Sequence, residues 1–213
     1  MGELNTVTVL YTAHIAGNLA LLPRLATLIQ QARSTAQGPV FLLDLGDTCA
    51  PDAWVCRATQ GRAPFLVLDS MGYDGAVIGG PERIPIPPPS LKQLLGQMIM
   101  PVIVWNRTST ITRRGISLSV APGAAPQADS APTIRIDRSA NTLPATGSPG
   151  VTLGDVPQGH LTRVDLDWPS WTVQAAQALT AEQDTPVDPT IAAVVELVES
   201  EARYYAHEQG GTP

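Results

Sequence analysis

"TVTVLYTAHIAGN", residues 6–18, decides how the rest of the chain is read. Thr6 to Thr12 is a run of β-branched and apolar residues, which favours an extended strand. The run gives way to a loop carrying His14 and Gly17. A buried strand that runs into such a loop is where open α/β sheets gather their ligands, beyond the carboxyl ends of the strands. No basic segment followed by an apolar signal core precedes it, so it reads as a first core strand and not as a targeting segment.

Outward from that strand, helix and strand signals alternate. Leu21, Leu22, Leu25, Leu28, Ile29 and Ala32 recur at helical spacing. "PVFLLDLGD" (39–47) is a near-continuous apolar run, the pattern of a strand buried on both faces. A helix over 63–72, closed by Gly72, leads to a third strand in "YDGAVIGG" (73–80). A further helix over 90–98 and a fourth strand in "PVIVWN" (101–106) follow. This rhythm predicts an α/β fold with a mostly parallel sheet and right-handed crossovers.

The composition then changes. Residues 121–150 are rich in Pro, Ala, Ser and Gly, and predict surface loop around one strand-like island, "TIRID" (133–137). "GVTLGDV" (150–156), "GHLTRVDLDW" (159–168) and "WTVQAAQAL" (171–179) suit strands, so the second half is expected to form hairpins and antiparallel pairs. The chain closes with a helix over about 189–207: Asp188 suits the N-cap and Pro189 the first helical position. Ile191, Val194, Val195, Val198, Ala202 and Tyr205 line one face, which is expected to dock on its own domain.

A chain of 213 residues with 44% hydrophobic and 15% charged residues is globular and can bury a sizeable core. The net charge of −6 argues against a general affinity for nucleic acid or anionic lipid, since phosphate binding rests on Lys and Arg. No apolar run is long enough to span a membrane. The two cysteines, Cys49 and Cys56, are read as free thiols, and with no signal segment in view they predict a cytoplasmic location.

Three loops, "AHIAGN" (13–18), "GDTCAPD" (46–52) and "GGPE" (79–82), follow the first three strands and should converge on one sheet edge. Their order resembles the calcineurin-like metallophosphoesterases, in particular the 5′-nucleotidase branch, whose corresponding loops read D-x-H, G-D-T and G-N-H-E. "GHLTRVDLDWPSWTV" and "VDPTIAAVVELVES" resemble the end of that family's metallophosphatase domain. The resemblance covers most of residues 6–106 and 159–200. It implies a sandwich of two mixed β-sheets flanked by helices, in one domain over 1–213 with a Pro/Ala/Ser-rich insertion at about 121–150. It also implies that no C-terminal nucleotidase domain follows.

In the family, two divalent metals bridged by the Asp of G-D activate a water that attacks a phosphate ester. Such a pair calls for roughly seven or eight donor groups from several loops. Asp47 matches the bridging Asp, with Gly46 and Thr48 beside it. At the Asp of D-x-H stands His14, and at its His stands Ala16, which has no donor atom. Gly80 and Pro81 stand where the family has Asn and His, and Glu82 matches the last residue of that loop. The family's later G-H-x-H pair has one candidate, His160, followed by Leu161 and Thr162; His207 falls at the end of the terminal helix.

The expectation is therefore a non-catalytic metallophosphoesterase-like domain acting in binding or assembly, with a protein partner or complex and no resident cofactor. If a metal binds, it is a single Mn, Zn or Mg ion on Asp47, His14 and Glu82. The alternative is a divergent metal-dependent phosphoesterase or nucleotidase with Asp47 and His14 at its centre. Cys49 lacks a histidine at a telling distance, the four tryptophans suit packing, and "IPIPPPS" (84–90) reads as a stiff loop.

Overall fold

The computed structural model describes residues 6–79, 87–123, 132–138, 144–147 and 150–208. Strand β1 (Thr6–Thr12) leads through a 3-10 turn to helix α1 (Leu22–Ser34) and strand β2 (Val40–Asp44). Helices α2 (Trp54–Ala58) and α3 (Ala63–Ser70) precede β3 (Gly75–Ile78), and α4 (Pro88–Gln97) precedes β4 (Val102–Val104). There follow β5 (Ser109–Arg113), β6 (Ile116–Pro122), β7 (Thr133–Ile136), β8 (Ala145–Gly147) and β9 (Gly150–Leu153). The chain returns to the first sheet as β10 (His160–Asp167) and β11 (Val173–Thr180), and ends in α5 (Pro189–Glu208).

Two mixed sheets face each other. The first has six strands in the order β11-β10-β1-β2-β3-β4, and the second five in the order β5-β6-β7-β9-β8. The pleat of β1 explains the layering. Val7, Val9 and Tyr11 point into the space between the sheets, where they join Phe41, Leu43, Leu118, Ile134 and Val151. Leu10 and Leu42 point the other way, onto Leu22, Leu25 and Ile29 of α1. Each such fully buried side chain contributes about 1.5–3 kcal/mol.

Helix α5 packs across α1, α2 and α3 through Ile191, Val195, Val198, Ala202 and Ala206. Val194 and Tyr205, expected on the same face, are only partly buried. Asp188 caps the helix as expected: its Oδ1 accepts from Ile191 N at 2.9 Å, and its Oδ2 accepts from Gln30 Nε2 at 2.6 Å. No helix among the described residues is long and apolar enough to cross a membrane.

The first four strands and their helices stand where the sequence predicts them. The second half departs from expectation in its pairing. β6–β7 and β7–β9 are parallel, although no helix connects them among the described residues, and only β5–β6 and β8–β9 run antiparallel in that sheet. The β5–β6 hairpin and α2 have no counterpart in the sequence reading. The proline run is not wholly a stiff loop, because α4 opens at Pro88, where a helix tolerates a missing N–H; residues 84–86 lie outside the described residues.

Candidate site at the shared strand ends

β1 and β2 pair in parallel with Thr12 beside Asp44, so the two loops that follow leave the sheet together. Main-chain bonds then zip them: Leu45 N donates to Thr12 O at 2.8 Å, His14 N to Gly46 O at 3.0 Å and Ala16 N to Asp47 O at 2.8 Å. His14, Ala16 and Asp47 all take left-handed backbone, with φ of 55°, 54° and 54°. Outside glycine this conformation costs on the order of 1–3 kcal/mol per residue and persists only where surrounding bonds enforce it. Gly17, at φ 77°, is required: a Cβ there would stand 2.7 Å from Ala53 Cβ and 2.8 Å from Cys56 Sγ.

The second sheet delivers its own strand ends to the same edge. β7 and β9 are in register, with Ile136 beside Leu153. Two residues further on, Arg138 and Asp155 emerge together. The Arg138 guanidinium hydrogen-bonds the Asp47 carboxylate through Nη2 and lies 3.4 Å from Asp155 Oδ1 through Nε. The same Nη2 is 3.2 Å from His14 Nδ1 and 3.1 Å from His14 Nε2. The imidazole in turn bridges the two acids, with Nδ1 3.2 Å from Asp47 Oδ2 and Nε2 2.9 Å from Asp155 Oδ1. Arg138 is the most enclosed member, its side chain 10% exposed against 22% for Asp47 and 28% for Asp155.

Burial alone would lower the Arg138 pKa, but the bond from Asp47 and the charges of Asp47 and Asp155 outweigh it and push the guanidinium above its ordinary value. Beneath this layer Asp44 is fully buried. Desolvation pushes its carboxyl up to about 7, opposed by the hydroxyls of Thr48 and Thr12, the Gly46 amide and the Arg138 charge. Thr12 also lies 3.0 Å from the Tyr73 hydroxyl, whose pKa burial raises further.

The structure thus brings Asp47 and His14 into contact, while Glu82, Gly80 and Pro81 lie outside the described residues. Ala16 contributes only its backbone to the edge. His160 opens β10 with Nδ1 3.2 Å from Gln158 O, and His207 is exposed in the last turn of α5. Arg138 and Asp155 were missed by sequence reasoning. Arg138 lies within the Pro/Ala/Ser-rich stretch, and its nearness to Asp47 depends on the β7–β9 pairing and the packing of the two sheets, which no local pattern announces. Among the described residues, no group of three or more His, Cys, Asp or Glu is placed to hold a metal ion.

One expectation is overturned. Cys49 and Cys56 are not free thiols but form a disulfide, with their Cα atoms 5.9 Å apart. The short helix α2 folds the chain back and brings Cys56 against Gly17, so the bond closes the loop that begins at Asp47.

No family model matches the chain. It is 33% identical over 87 residues to the uncharacterized metallophosphoesterase YunD of Bacillus subtilis, an alignment covering 39% of this chain and 19% of that protein. Among solved structures it resembles the sulfate thiohydrolase SoxB of Thermus thermophilus, with a TM-score of 0.67 at 11% identity over 94% of this chain and 61% of that one. It also resembles a 5′-nucleotidase precursor of Thermus thermophilus, with a TM-score of 0.60 at 10% identity over 95% of this chain and 59% of that one. At such identities the likeness to these structures is one of fold. The chain spans about a fifth of the curated relative and about three fifths of these two structures. In its two-sheet fold the chain is similar to the calcineurin-like phosphoesterases, and over those 87 residues its sequence is similar to that of one metallophosphoesterase.

Proposed function

We propose that the chain is a non-catalytic metallophosphoesterase-like domain that serves in binding or assembly. The observation that carries this reading is the Arg138 guanidinium lodged against Asp47, His14 and Asp155. The fold's relatives imply divalent metal at this edge, and the residues present do not fit a pair of such ions. A metal ligand must offer a free lone pair. Here the carboxylate of Asp47 and the ring of His14 already face a permanent cation, and Ala16 has no donor to add. The Arg138 charge already stands between the carboxylates of Asp47 and Asp155, where an added ion would have to sit.

The test is elemental analysis of protein prepared in manganese and zinc, run beside a hydrolysis assay on bis(4-nitrophenyl) phosphate. The reading expects no tightly held ion and no turnover; two retained ions per chain would overturn it. A protein partner is part of the proposal. The disulfide is the state favoured by oxidising compartments, so the reading does not include a cytoplasmic location.

The Asp47–His14 pair, 3.2 Å apart, favours a second reading: a divergent phosphoesterase or nucleotidase centred on those residues with a single Mn, Zn or Mg ion. It expects metal-dependent hydrolysis that disappears in Asp47→Ala.

A further inference from the structure

The opposite end of the parallel strands carries a second concentration of charge. β2 and β3 begin there, α1 ends there, and the β5–β6 hairpin makes its turn beside them. Together they frame a cavity of about 520 Å3 whose lining includes Arg33, Val40, Gly72, Asp74, Arg113 and Arg114. Three of the chain's 13 Lys and Arg residues therefore meet in one hollow of a protein with a net charge of −6.

The partners of these groups leave positive charge over. Asp74 is the one acid in the lining, and it is buried. Its Oδ1 takes the bond from Arg113 Nε, and its Oδ2 accepts from Leu42 N at 2.8 Å, so Arg113 already answers its charge. Arg33 is half-buried and, among the described residues, donates only to carbonyls, to Gly72 O at 2.8 Å and Met71 O at 3.4 Å. Arg114 makes no hydrogen bond or ion pair among the described residues. Among the described residues neither Arg33 nor Arg114 hydrogen-bonds a carboxylate; Arg33 is partly desolvated and shares the charge of Asp74 with Arg113.

The backbone at Arg114 supplies a separate observation. Arg114 and Gly115 form the two-residue turn of the hairpin, with φ of 47° and 79°. A turn with both residues left-handed is the mirror-image type that favours Asn or Gly at its first position. A long cationic side chain is held there against that preference. Such a local conflict is where a role other than folding is expected.

We propose that this cavity binds a phosphoryl group, free or as a small ester, with Arg33, Arg113 and Arg114 as its donors. The planar guanidinium fork matches the oxygens of a phosphate and pairs with them in twos. The cavity lies within the usual roughly 300–1,000 Å3 of small-molecule sites. The site is separate from the Asp47 edge and does not depend on how that edge is read.

Calorimetric titration of the full chain at low salt, with inorganic pyrophosphate and with adenosine 5′-monophosphate, tests it. At least one probe should bind saturably, and the tighter of the two assigns the free or the esterified form. Arg114→Asn should weaken that binding at least about tenfold, as the loss of charge-assisted bonds implies, while its melting temperature stays level or rises because Asn suits the turn. Arg33→Gln should weaken binding likewise, and Arg57→Gln on α2 should not. Absence of saturable binding with both probes, or wild-type affinity in Arg114→Asn, would overturn the proposal.

Discussion

Arg138 and Asp155 each stand two residues beyond the end of a strand, and those strands, β7 and β9, pair in parallel with Ile136 beside Leu153. That register makes them neighbours before either meets the first sheet. The first sheet repeats the device: Thr12 lies beside Asp44, and His14 and Asp47 follow a few residues on. The cluster of four side chains is thus a product of two strand registers facing one another.

Removing the cation from this cluster leaves two carboxylates beside one imidazole. Arg138→Ala should lower unfolding free energy by roughly 2–3 kcal/mol, a buried-pair value reduced for the partial exposure of the two acids. Urea denaturation reads the loss. Added Mn²⁺ should raise the midpoint of the variant and leave that of the wild type alone.

Asp44 makes a prediction about pH. Its carboxyl, at about 7 in the folded chain against 3.8 for an ordinary aspartate, holds its proton more tightly when folded. The stabilising contribution is therefore complete below about pH 4 and is lost as pH rises through 7. Asp44→Asn keeps the shape and removes the titration. Relative to the wild type it should gain on the order of 2–4 kcal/mol between pH 5 and pH 8, read from urea midpoints of both proteins at each pH. An unchanged difference between the two would mean that the carboxyl does not titrate there.

The start of α5 rests on Asp188, which caps the helix through Oδ1 and ties it to α1 through Gln30. Asp188→Ala should cost about 1–2 kcal/mol. Asp188→Asn, which can still accept at the cap, should cost less. Equal losses in the two variants would place the effect in the charge and not in the cap.

Opening the Cys49–Cys56 bond frees a short loop next to Asp47. From its length, the paired substitution Cys49→Ser with Cys56→Ser should cost roughly 2–3 kcal/mol. Dithiothreitol should lower the melting temperature of the wild type and leave that of the double variant unchanged.

Much of this architecture is legible in the residues. β1, α1, β2, α3, β3 and β4 declare themselves because each buries an apolar face, and burial imposes a period of two or 3.6. Asp188 and Pro189 mark α5 for the same local reasons. The β5–β6 hairpin hides because its turn is Arg-Gly and lacks the usual Asn-Gly signal. The parallel pairing of β7 with β9 leaves no local mark at all, so Arg138 looks like one more cation beside a loop. The cysteines mislead for a different reason. Their pairing needs the chain to double back through α2, and a helix of five residues is too short to show a period.

The positive charge that ties the ends of the two sheets together is covalently part of the polypeptide. No chelator can strip it out, and no scarcity of manganese or zinc can leave it vacant. At this edge the two sheets carry a fastening of the chain's own manufacture.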